Sequence, residues 1–195
     1  MNIILASTSK IRQTILRNAG LEFSVQDSGL DEKKAKLTMK GSTAQTLAMS
    51  LAELKSMRAS QQFPNSLVIG ADQTLGFDNQ VLDKPISIQD VRQQLIMLRN
   101  NTHSLYSALN CTIADKTVWS FCGEAKLTMR SFSDEFLDQY LEKISQSYAS
   151  SVGGYKLEEL GINLFDHIEG DYFTILGLPI LPLLNFLRQE KFIAS

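Results

Sequence analysis

Short apolar runs alternate along this chain with longer segments whose apolar residues recur at helical spacing. A short apolar run predicts a buried strand, and recurrence at positions i, i+4 and i+7 predicts an amphipathic helix. Strands are predicted over 3–6, 23–26, 67–69 and 161–168, and a long hairpin over 102–129 that turns at Asp115-Lys116. Helices are predicted over 10–19, 43–61 and 179–188, and two more follow the capping serines Ser87 and Ser133. The polar segment 27–41 is predicted to be a loop beside a cleft.

The succession of these elements predicts the fold class. Strands that alternate with helices favour an α/β protein, and the long hairpin requires antiparallel pairing, so the sheet is predicted to be mixed. We find no internal repeat, low-complexity tract or linker, so residues 1–195 are predicted to form one domain.

Composition narrows the function classes. The apolar fraction of 44% is sufficient for a packed core, and a net charge of −2 gives no bulk attraction to nucleic-acid polymers or acidic membranes. The N-terminus lacks the basic region of a signal peptide. The apolar segment 173–187 is interrupted by glycine and proline and is shorter than the ~20 residues of a membrane span. We therefore expect a soluble cytoplasmic protein with no membrane or nucleic-acid partner.

The two cysteines, Cys111 and Cys122, are too few for a disulfide framework and lack the spacing of a metal site. Two arrangements stay open: the thiols face each other across the hairpin, or both are buried and reduced. A reducing cytosol favours the second.

The segment 66–85 carries the clearest chemical signal. The apolar run 67–69 ends at Gly70 and is followed by Asp72, which predicts a buried strand that delivers a carboxylate to the rim of a sheet, where open sheets bind ligands. Lys84 returns after a short turn at Asp78-Asn79 and stands next to a proline. An acid and a cation on one hairpin suit an anionic, metal-bound substrate. The alternative for Asp72 is an acid that only caps a turn.

A second candidate lies where the first strand turns into the first helix. Ser7, Thr8, Ser9, Lys10 and Arg12 follow that strand, and backbone N–H groups at a helix start attract phosphate. The alternative is an ordinary helix cap. The chain has neither of the two common glycine-rich phosphate loops, which disfavours a P-loop enzyme and a dinucleotide oxidoreductase.

Other polar residues are open to two interpretations. Glu32 lies in a charged segment and is either a cleft residue or a solvated surface charge. Lys55 follows Leu51 by four positions, so its amine either reaches a cleft or is exposed on the surface. His103 and His167 are too far apart in sequence to predict a metal pair, and no residues indicate a covalent mechanism.

Taken together, these segments resemble the Maf family, also called septum formation inhibitor proteins, which are nucleoside triphosphate pyrophosphatases. The resemblance follows the family's order along nearly the whole chain. The matching segments are Leu5-Ala6-Ser7-Thr8-Ser9-Lys10-Ile11-Arg12, Asp31-Glu32, Leu51-Ala52-Glu53-Leu54-Lys55, Gly70-Ala71-Asp72, Lys84-Pro85, His103, Val152-Gly153-Gly154-Tyr155, Ile168-Glu169-Gly170 and Gly177-Leu178-Pro179.

The resemblance implies an elongated Maf/ITPase-like α/β fold with two lobes and a central cleft, often as a homodimer. It implies hydrolysis of a nucleotide between the α and β phosphates, with Asp72 as proton acceptor and Glu32, Lys55 and Lys84 beside it in the cleft. It also implies phosphate binding by Arg12 near Ser7 and Ser9, and a divalent cation, Mg²⁺ or else Mn²⁺ or Co²⁺. Glu32 and Asp72 are the expected metal ligands, because carboxylates suit Mg²⁺.

Three positions of the family distinguish its substrates. Here they are Ile11, Gln73 and Glu158, and the last two resemble the branch that acts on 7-methyl-GTP, whereas Ile11 departs from both branches. A carboxylate at position 158 can accept hydrogen bonds from both the N1–H and the exocyclic amine of guanine, a pairing that thymine does not offer. The resemblance therefore favours 7-methyl-GTP over dTTP and UTP. A housekeeping hydrolase for noncanonical nucleotides, and a nucleotide-binding regulator of cell division with little turnover, are the alternatives.

Overall fold

A mixed sheet runs through the computed structural model, which describes residues 1–144 and 151–194. Within these residues the sheet has seven strands: β1 (Asn2–Leu5), β2 (Ser24–Val25), β3 (Ser66–Phe77), β4 (Gln80–Leu82), β5 (Thr102–Ile113), β6 (Lys116–Met129) and β7 (Phe165–Glu169). The order is β2-β1-β3-β5-β6-β7, with β4 also paired to β3. β1 is parallel to β2 and β3, and the remaining pairs are antiparallel. The predicted α/β class with a mixed sheet is confirmed.

The described helices are α1 (Lys10–Asn18), α2 (Glu32–Thr38), α3 (Ala44–Ser60), α4 (Ile88–Leu98), α5 (Asp134–Lys143), α6 (Tyr172–Ile175) and α7 (Ile180–Gln189). All but α2 and α6 follow the predicted apolar stripes. The hydroxyls of Thr43, Ser87 and Ser133 each accept a backbone N–H at the start of a helix, so both predicted serine caps are confirmed. Of the described helices, none is both long and apolar enough to cross a membrane.

Two predictions of local structure are wrong in part. The segment 27–41 contains the helix α2, because the side chain of Asp31 accepts the backbone N–H of Lys34 and caps it. The segment 161–168 begins with a 3₁₀ helix (Leu160–Leu164), and only Phe165–Glu169 pairs with β6. A short run of apolar residues does not distinguish a strand from a tight helical turn.

The two cysteines do not face each other across the hairpin. Cys111 is opposite Trp119 and Cys122 is opposite Ala108, and both thiols are free. Cys111 is buried, whereas Cys122 is only half-buried. Burial raises the pKa of both thiols, to about 11 for Cys122, so both are protonated at neutral pH.

Among the described residues, the apolar interior has two large cores at different levels of β3 and two smaller clusters that involve α3. The first core packs α4, α5 and the segment 152–164 against β5 and β6, and it includes Leu75. The second core packs α1 and α7 against β1 and the start of β3, and it includes Ala71. Asp72, Gln73 and Thr74 therefore lie between two cores, in the middle of a twelve-residue strand. The prediction that Asp72 ends its strand is wrong, because β3 continues to pair with β5 as far as Gly76.

His103 is a buried histidine of the first core. Its Nε2 lies 2.6 Å from the hydroxyl of Tyr155, and its ring packs against those of Tyr155 and Phe165. Among the described residues, nothing forms a hydrogen bond with its Nδ1. Burial lowers the pKa of His103 to about 4. A neutral ring in an apolar site indicates a structural role for His103, which ties β5 to the segment 152–155.

We expect this histidine to make stability depend on pH. The unfolded chain binds a proton at position 103 near pH 6.5, whereas the folded chain does so only near pH 4. The free energy of unfolding therefore falls by about 3 kcal/mol as pH drops from 6.5 to 4, and this loss stops below pH 4. Urea unfolding at pH 7, 6, 5 and 4 measures it. His103→Gln should lose this part of the pH dependence and His167→Gln, at an exposed position, should keep it; equal behaviour of the two variants would contradict the assignment.

Candidate active site

The candidate site lies at a gap in the edge of β3. On one side β3 pairs with β5 along most of its length, but on the other side its neighbour changes. β1 pairs with residues 66–69, and β4 pairs with residues 75–77. Residues 70–74 thus have no strand beside them on this edge within the described part of the chain. Ligands bind at such points in open sheets, because the backbone and both faces of the strand are accessible there.

Asp72 and Lys55 form the centre of the site. The Nζ of Lys55 lies 2.5 Å from Oδ1 of Asp72, and both side chains are buried, at 8% and 9% exposure. Lys55 reaches the strand because α3 crosses β3 at Gly70. A Cβ atom at position 70 would lie 2.1 Å from the carbonyl oxygen of Ala52, so only glycine permits this approach. The structure therefore places Lys55 in the interior and not on the surface.

Glu32 reaches the same amine from the other side. Its Oε1 lies 2.8 Å from the Nζ of Lys55, and it is the first residue of α2, so the helix cap at Asp31 positions it. Partial burial opposes ionisation of Glu32, but the charges of Lys55, Lys84 and Lys36 outweigh it and lower the pKa of its carboxyl. Glu32 is thus an ionised member of a carboxylate–amine–carboxylate cluster.

Arg12 on α1 forms hydrogen bonds with three other segments of the site. Its Nε donates to the carbonyl oxygen of Gly177 at 2.8 Å, and one terminal nitrogen donates to the carbonyl of Ala71 at 2.9 Å and to the hydroxyl of Ser7 at 3.2 Å. Burial lowers the pKa of the guanidinium, and the nearby charges of Asp72 and Glu32 oppose that effect. Ser9 is half-buried, and its backbone N–H lies 3.4 Å from the Ser7 hydroxyl. Arg12 therefore adds positive charge and also ties α1 to β3 and to the segment before α7.

Lys84 is the third cation of the site. Burial lowers the pKa of its amine, and so does the charge of Arg12, while Glu32 and Asp72 act in the opposite direction. No carboxylate in residues 1–144 or 151–194 lies within 4 Å of this amine. With Arg12 and Lys55, it gives the site one cation more than its carboxylates, Glu32 and Asp72. Such a cluster attracts a polyanion.

Gln73 points to the opposite face of the sheet from Asp72, because successive side chains of a strand alternate. Its amide nitrogen donates to the hydroxyl of Ser107 and to the carbonyls of Thr174 and Ile175 at 3.0, 3.1 and 2.9 Å. Its amide oxygen accepts no hydrogen bond from the described residues and is free for a ligand. Gln73 therefore fixes the short helix α6 against the strand that carries Asp72.

A pocket of about 450 Å³ lies beside α6 and contains Glu158. Its walls are Leu157, Glu158, Glu159, Ile162, Ile168, Gly170, Tyr172 and Ile175. Gln73 does not line this pocket, but it donates to the carbonyl of Ile175, which does. Ile11 packs, half-buried, against the second core. Of the three predicted base-reading residues, only Glu158 lies in the pocket wall, and Gln73 is linked to it through α6.

Glu32 and Asp72 can hold a hard cation only when a substrate supplies further oxygen ligands. Among the described residues, no group of three or more histidine, cysteine, aspartate or glutamate side chains is arranged to hold a metal ion. Mg²⁺, however, is commonly held by one or two carboxylates together with phosphate oxygens and water. Lys55 contacts one oxygen of Glu32 and one of Asp72, so the second oxygen of each carboxylate remains for a cation.

Several residues of the site were not identified from the sequence. Gly177 and Ala71 contribute only carbonyls, and no side-chain pattern signals a carbonyl. Gly177 adopts a φ of 90°, so a glycine just before the predicted helix 179–188 could have indicated a special turn. Thr174 and Ser107 act through hydrogen bonds to Gln73 and α6, which depend on contacts between distant segments.

Comparison with known proteins matches this chain to a family and to several relatives. The family model described as "Maf-like protein" matches residues 2–190. The chain is 47% identical over 189 residues to the "Nucleoside triphosphate pyrophosphatase" of Paramagnetospirillum magneticum, covering 96% of this chain and 97% of that one. It is 41% identical over 193 residues to the "7-methyl-GTP pyrophosphatase" of Brucella abortus biovar 1, covering 98% and 97%. The solved Ham1 protein of Staphylococcus aureus matches 66% of this chain and 72% of that one at 15% identity, with a TM-score of 0.38, a likeness too distant to support an inference.

Proposed function

This chain belongs to the Maf family, and we propose that it hydrolyses a nucleoside triphosphate between the α and β phosphates, releasing a monophosphate and pyrophosphate. It is then a hydrolase acting on acid anhydrides, like the relatives that are named pyrophosphatases. The observation that carries the proposal is the cluster of buried Asp72 and Lys55 with half-buried Glu32 at the open edge of β3, beside the amine of Lys84, which has no carboxylate partner among the described residues.

The positive charges of the site bind the triphosphate. Lys84 has no carboxylate partner among the described residues, so its amine is available to phosphate oxygens. Arg12 is fixed by two carbonyls and a hydroxyl, so its charge is already positioned before substrate arrives. Charges held in place stabilise the negative charge that develops on the leaving pyrophosphate, because they need no reorganisation during the reaction.

Asp72 accepts the proton of the attacking water. Lys55 contacts Oδ1 of Asp72, which leaves Oδ2 available to accept a proton. The water oxygen then bonds to the α-phosphorus, and the bond from that phosphorus to the bridging oxygen breaks. A divalent cation, when bound by Glu32 and Asp72, supplies further charge neutralisation on the phosphates. Mg²⁺ is the preferred candidate over Mn²⁺ or Co²⁺, and cytoplasmic location and homodimer formation likewise stay predictions from the resemblance.

The pocket beside α6 favours 7-methyl-GTP as the substrate. Glu158 offers a carboxylate to the N1–H and amino group of a guanine base, and Gln73 fixes α6, which supplies part of the pocket wall. Glu159 in the same pocket already has a cation, Lys156, at 3.1 Å. A base that carries positive charge gains from the unpaired carboxylate of Glu158, whereas the neutral bases of dTTP and UTP do not.

We expect Glu158→Gln to reduce selectivity for 7-methyl-GTP. Loss of a charged hydrogen-bond acceptor should lower kcat/KM for 7-methyl-GTP by about 10-fold or more while kcat/KM for dTTP changes little. The measurement is pyrophosphate release with Mg²⁺ and a panel of 7-methyl-GTP, GTP, dTTP and UTP. Glu159→Gln is the matched control, since its carboxylate is already paired.

Two outcomes of this panel would change the proposal. Unchanged selectivity in Glu158→Gln would remove the base-reading role of that residue. Tight binding of nucleotides by the wild-type protein without turnover of any of them would favour the alternative of a nucleotide-binding regulator of cell division.

A further inference from the structure

We propose that Tyr172 is the aromatic surface on which the substrate base stacks, so that this residue contributes to base specificity. The proposal rests on the proposed function, because it assumes that a nucleotide base occupies the pocket beside α6. It adds to the role of Glu158, which offers hydrogen bonds in the plane of the base but no surface above or below it.

Tyr172 is an exposed aromatic residue in a pocket whose other residues are aliphatic, acidic or glycine. Its side chain lines the pocket, and 48% of the residue is exposed to solvent. The other apolar walls are aliphatic, from Leu157, Ile162 and Ile175 among others. An aromatic ring that faces solvent in a concave site is a surface for a planar ligand, since stacking on such rings provides much of the binding energy for bases.

The ring is held in a defined place by its surroundings. Tyr172 begins α6, whose N-cap is Asp171, and the carboxylate of Asp171 accepts the backbone N–H of Thr174 at 2.8 Å. The other end of α6 is held by Gln73 and Ser107, which both donate to the carbonyl of Thr174. The Tyr172 ring also meets the ring of Phe173 edge to face, with centroids 5.9 Å apart. A surface that is fixed before binding loses little freedom when the base arrives.

The position of Tyr172 also suits a nucleotide whose phosphates contact Asp72. Gln73 follows Asp72 on β3 and contacts Ile175, which belongs to the same short helix as Tyr172 and lines the same pocket. Because Asp72 and Gln73 point to opposite faces of the sheet, a nucleotide that reaches both regions would pass the open edge of β3 at residues 70–74. The charge of the two regions differs in the direction that a 7-methylated nucleotide requires: cations prevail around the phosphates, and Glu158 is unpaired among the described residues near the base.

Binding of ligands that resist hydrolysis tests the proposal. The ligands are α,β-methylene analogues of 7-methyl-GTP and GTP, and pyrophosphate as a ligand without a base, each titrated calorimetrically with Mg²⁺. We expect Tyr172→Ala to raise the Kd of the 7-methyl-GTP analogue on the order of 10- to 100-fold, to reduce its preference over the GTP analogue, and to leave the Kd of pyrophosphate unchanged. Tyr172→Phe retains the ring and should bind like the wild type. The urea midpoint of each variant checks that the fold is kept.

Each alternative result has a distinct meaning. An unchanged Kd for the 7-methyl-GTP analogue in Tyr172→Ala, or an equal loss for pyrophosphate, would overturn the stacking role, the second because it would reveal a merely structural effect. Weak binding of the 7-methyl-GTP analogue by Tyr172→Phe, which keeps the ring, would also overturn the stacking role. A separate turnover assay of the wild-type protein tests the proposed hydrolysis: selective binding through Tyr172 without turnover would overturn hydrolysis and leave the stacking surface in place.

Discussion

Asp72→Asn should lower turnover of the preferred triphosphate by about 10²- to 10⁴-fold, the usual contribution of a general base. Asparagine has nearly the same shape and its amide oxygen still accepts a hydrogen bond from Lys55, but it does not take up a proton. The affinity for the substrate should therefore change by only a few fold. The measurements are single-turnover rates of pyrophosphate release and the Kd of a hydrolysis-resistant analogue.

The control for this variant is another aspartate changed in the same way. Asp115 is exposed in the turn between β5 and β6, where its φ of 60° is one that asparagine readily adopts. Asp115→Asn should retain full turnover and stability. A near-normal rate in Asp72→Asn would show that the buried carboxylate only supports the structure, through its ion pair with Lys55.

Gly70→Ala should destabilise the protein and separate the catalytic groups. The added Cβ atom would lie 2.1 Å from the carbonyl oxygen of Ala52 and 2.7 Å from the backbone nitrogen of Ser56, so α3 must move away from β3. We expect the free energy of unfolding to fall by about 3 kcal/mol, the upper range for overpacking in a core. Because α3 carries Lys55, the remaining folded protein should also lose most of its activity. Urea unfolding and turnover per folded molecule measure the two effects.

The matched control for Gly70→Ala is a second glycine of the same strand and face. A Cβ atom at Gly76 would lie 3.1 Å from the methyl group of Ala44 and 3.4 Å from the ring of Tyr106. Both neighbours are side-chain atoms, so Gly76→Ala should cost less than about 1 kcal/mol. Gly70→Ala and Gly76→Ala could both unfold at the same urea concentration as the wild-type protein. That result would contradict the expectation that close contact between α3 and β3 positions the site.

Much of the fold was predictable because it is specified by local signals. The capping hydroxyls of Ser87 and Ser133 and the apolar stripes behind them act over a few residues, and both helices begin at the predicted positions. The hairpin over 102–129 and the turn at Asp78-Asn79 are equally local. The helix over Glu32–Thr38 was missed because it buries no residue, so it has no apolar stripe to recognise.

The candidate site was predictable as a set of residues but not as an arrangement. The order of its motifs carried the resemblance to the family, and the family model confirms that resemblance. Gly70 was interpreted as the end of a strand, whereas it marks the close approach of a helix. Glycine in a strand permits both, and only the position of α3 distinguishes them.

The sequence by itself determined where most helices and strands begin and end, and which residue types are available for phosphate and proton chemistry. Tertiary structure decided how those residues meet: Arg12 binds the carbonyl of Gly177, 165 residues away, and Gln73 binds that of Ile175, 102 residues away. Periodicity and capping act within one or two helical turns. The change of neighbour along β3, by contrast, is a property of the whole sheet, because it depends on where β1 ends and where β4 begins.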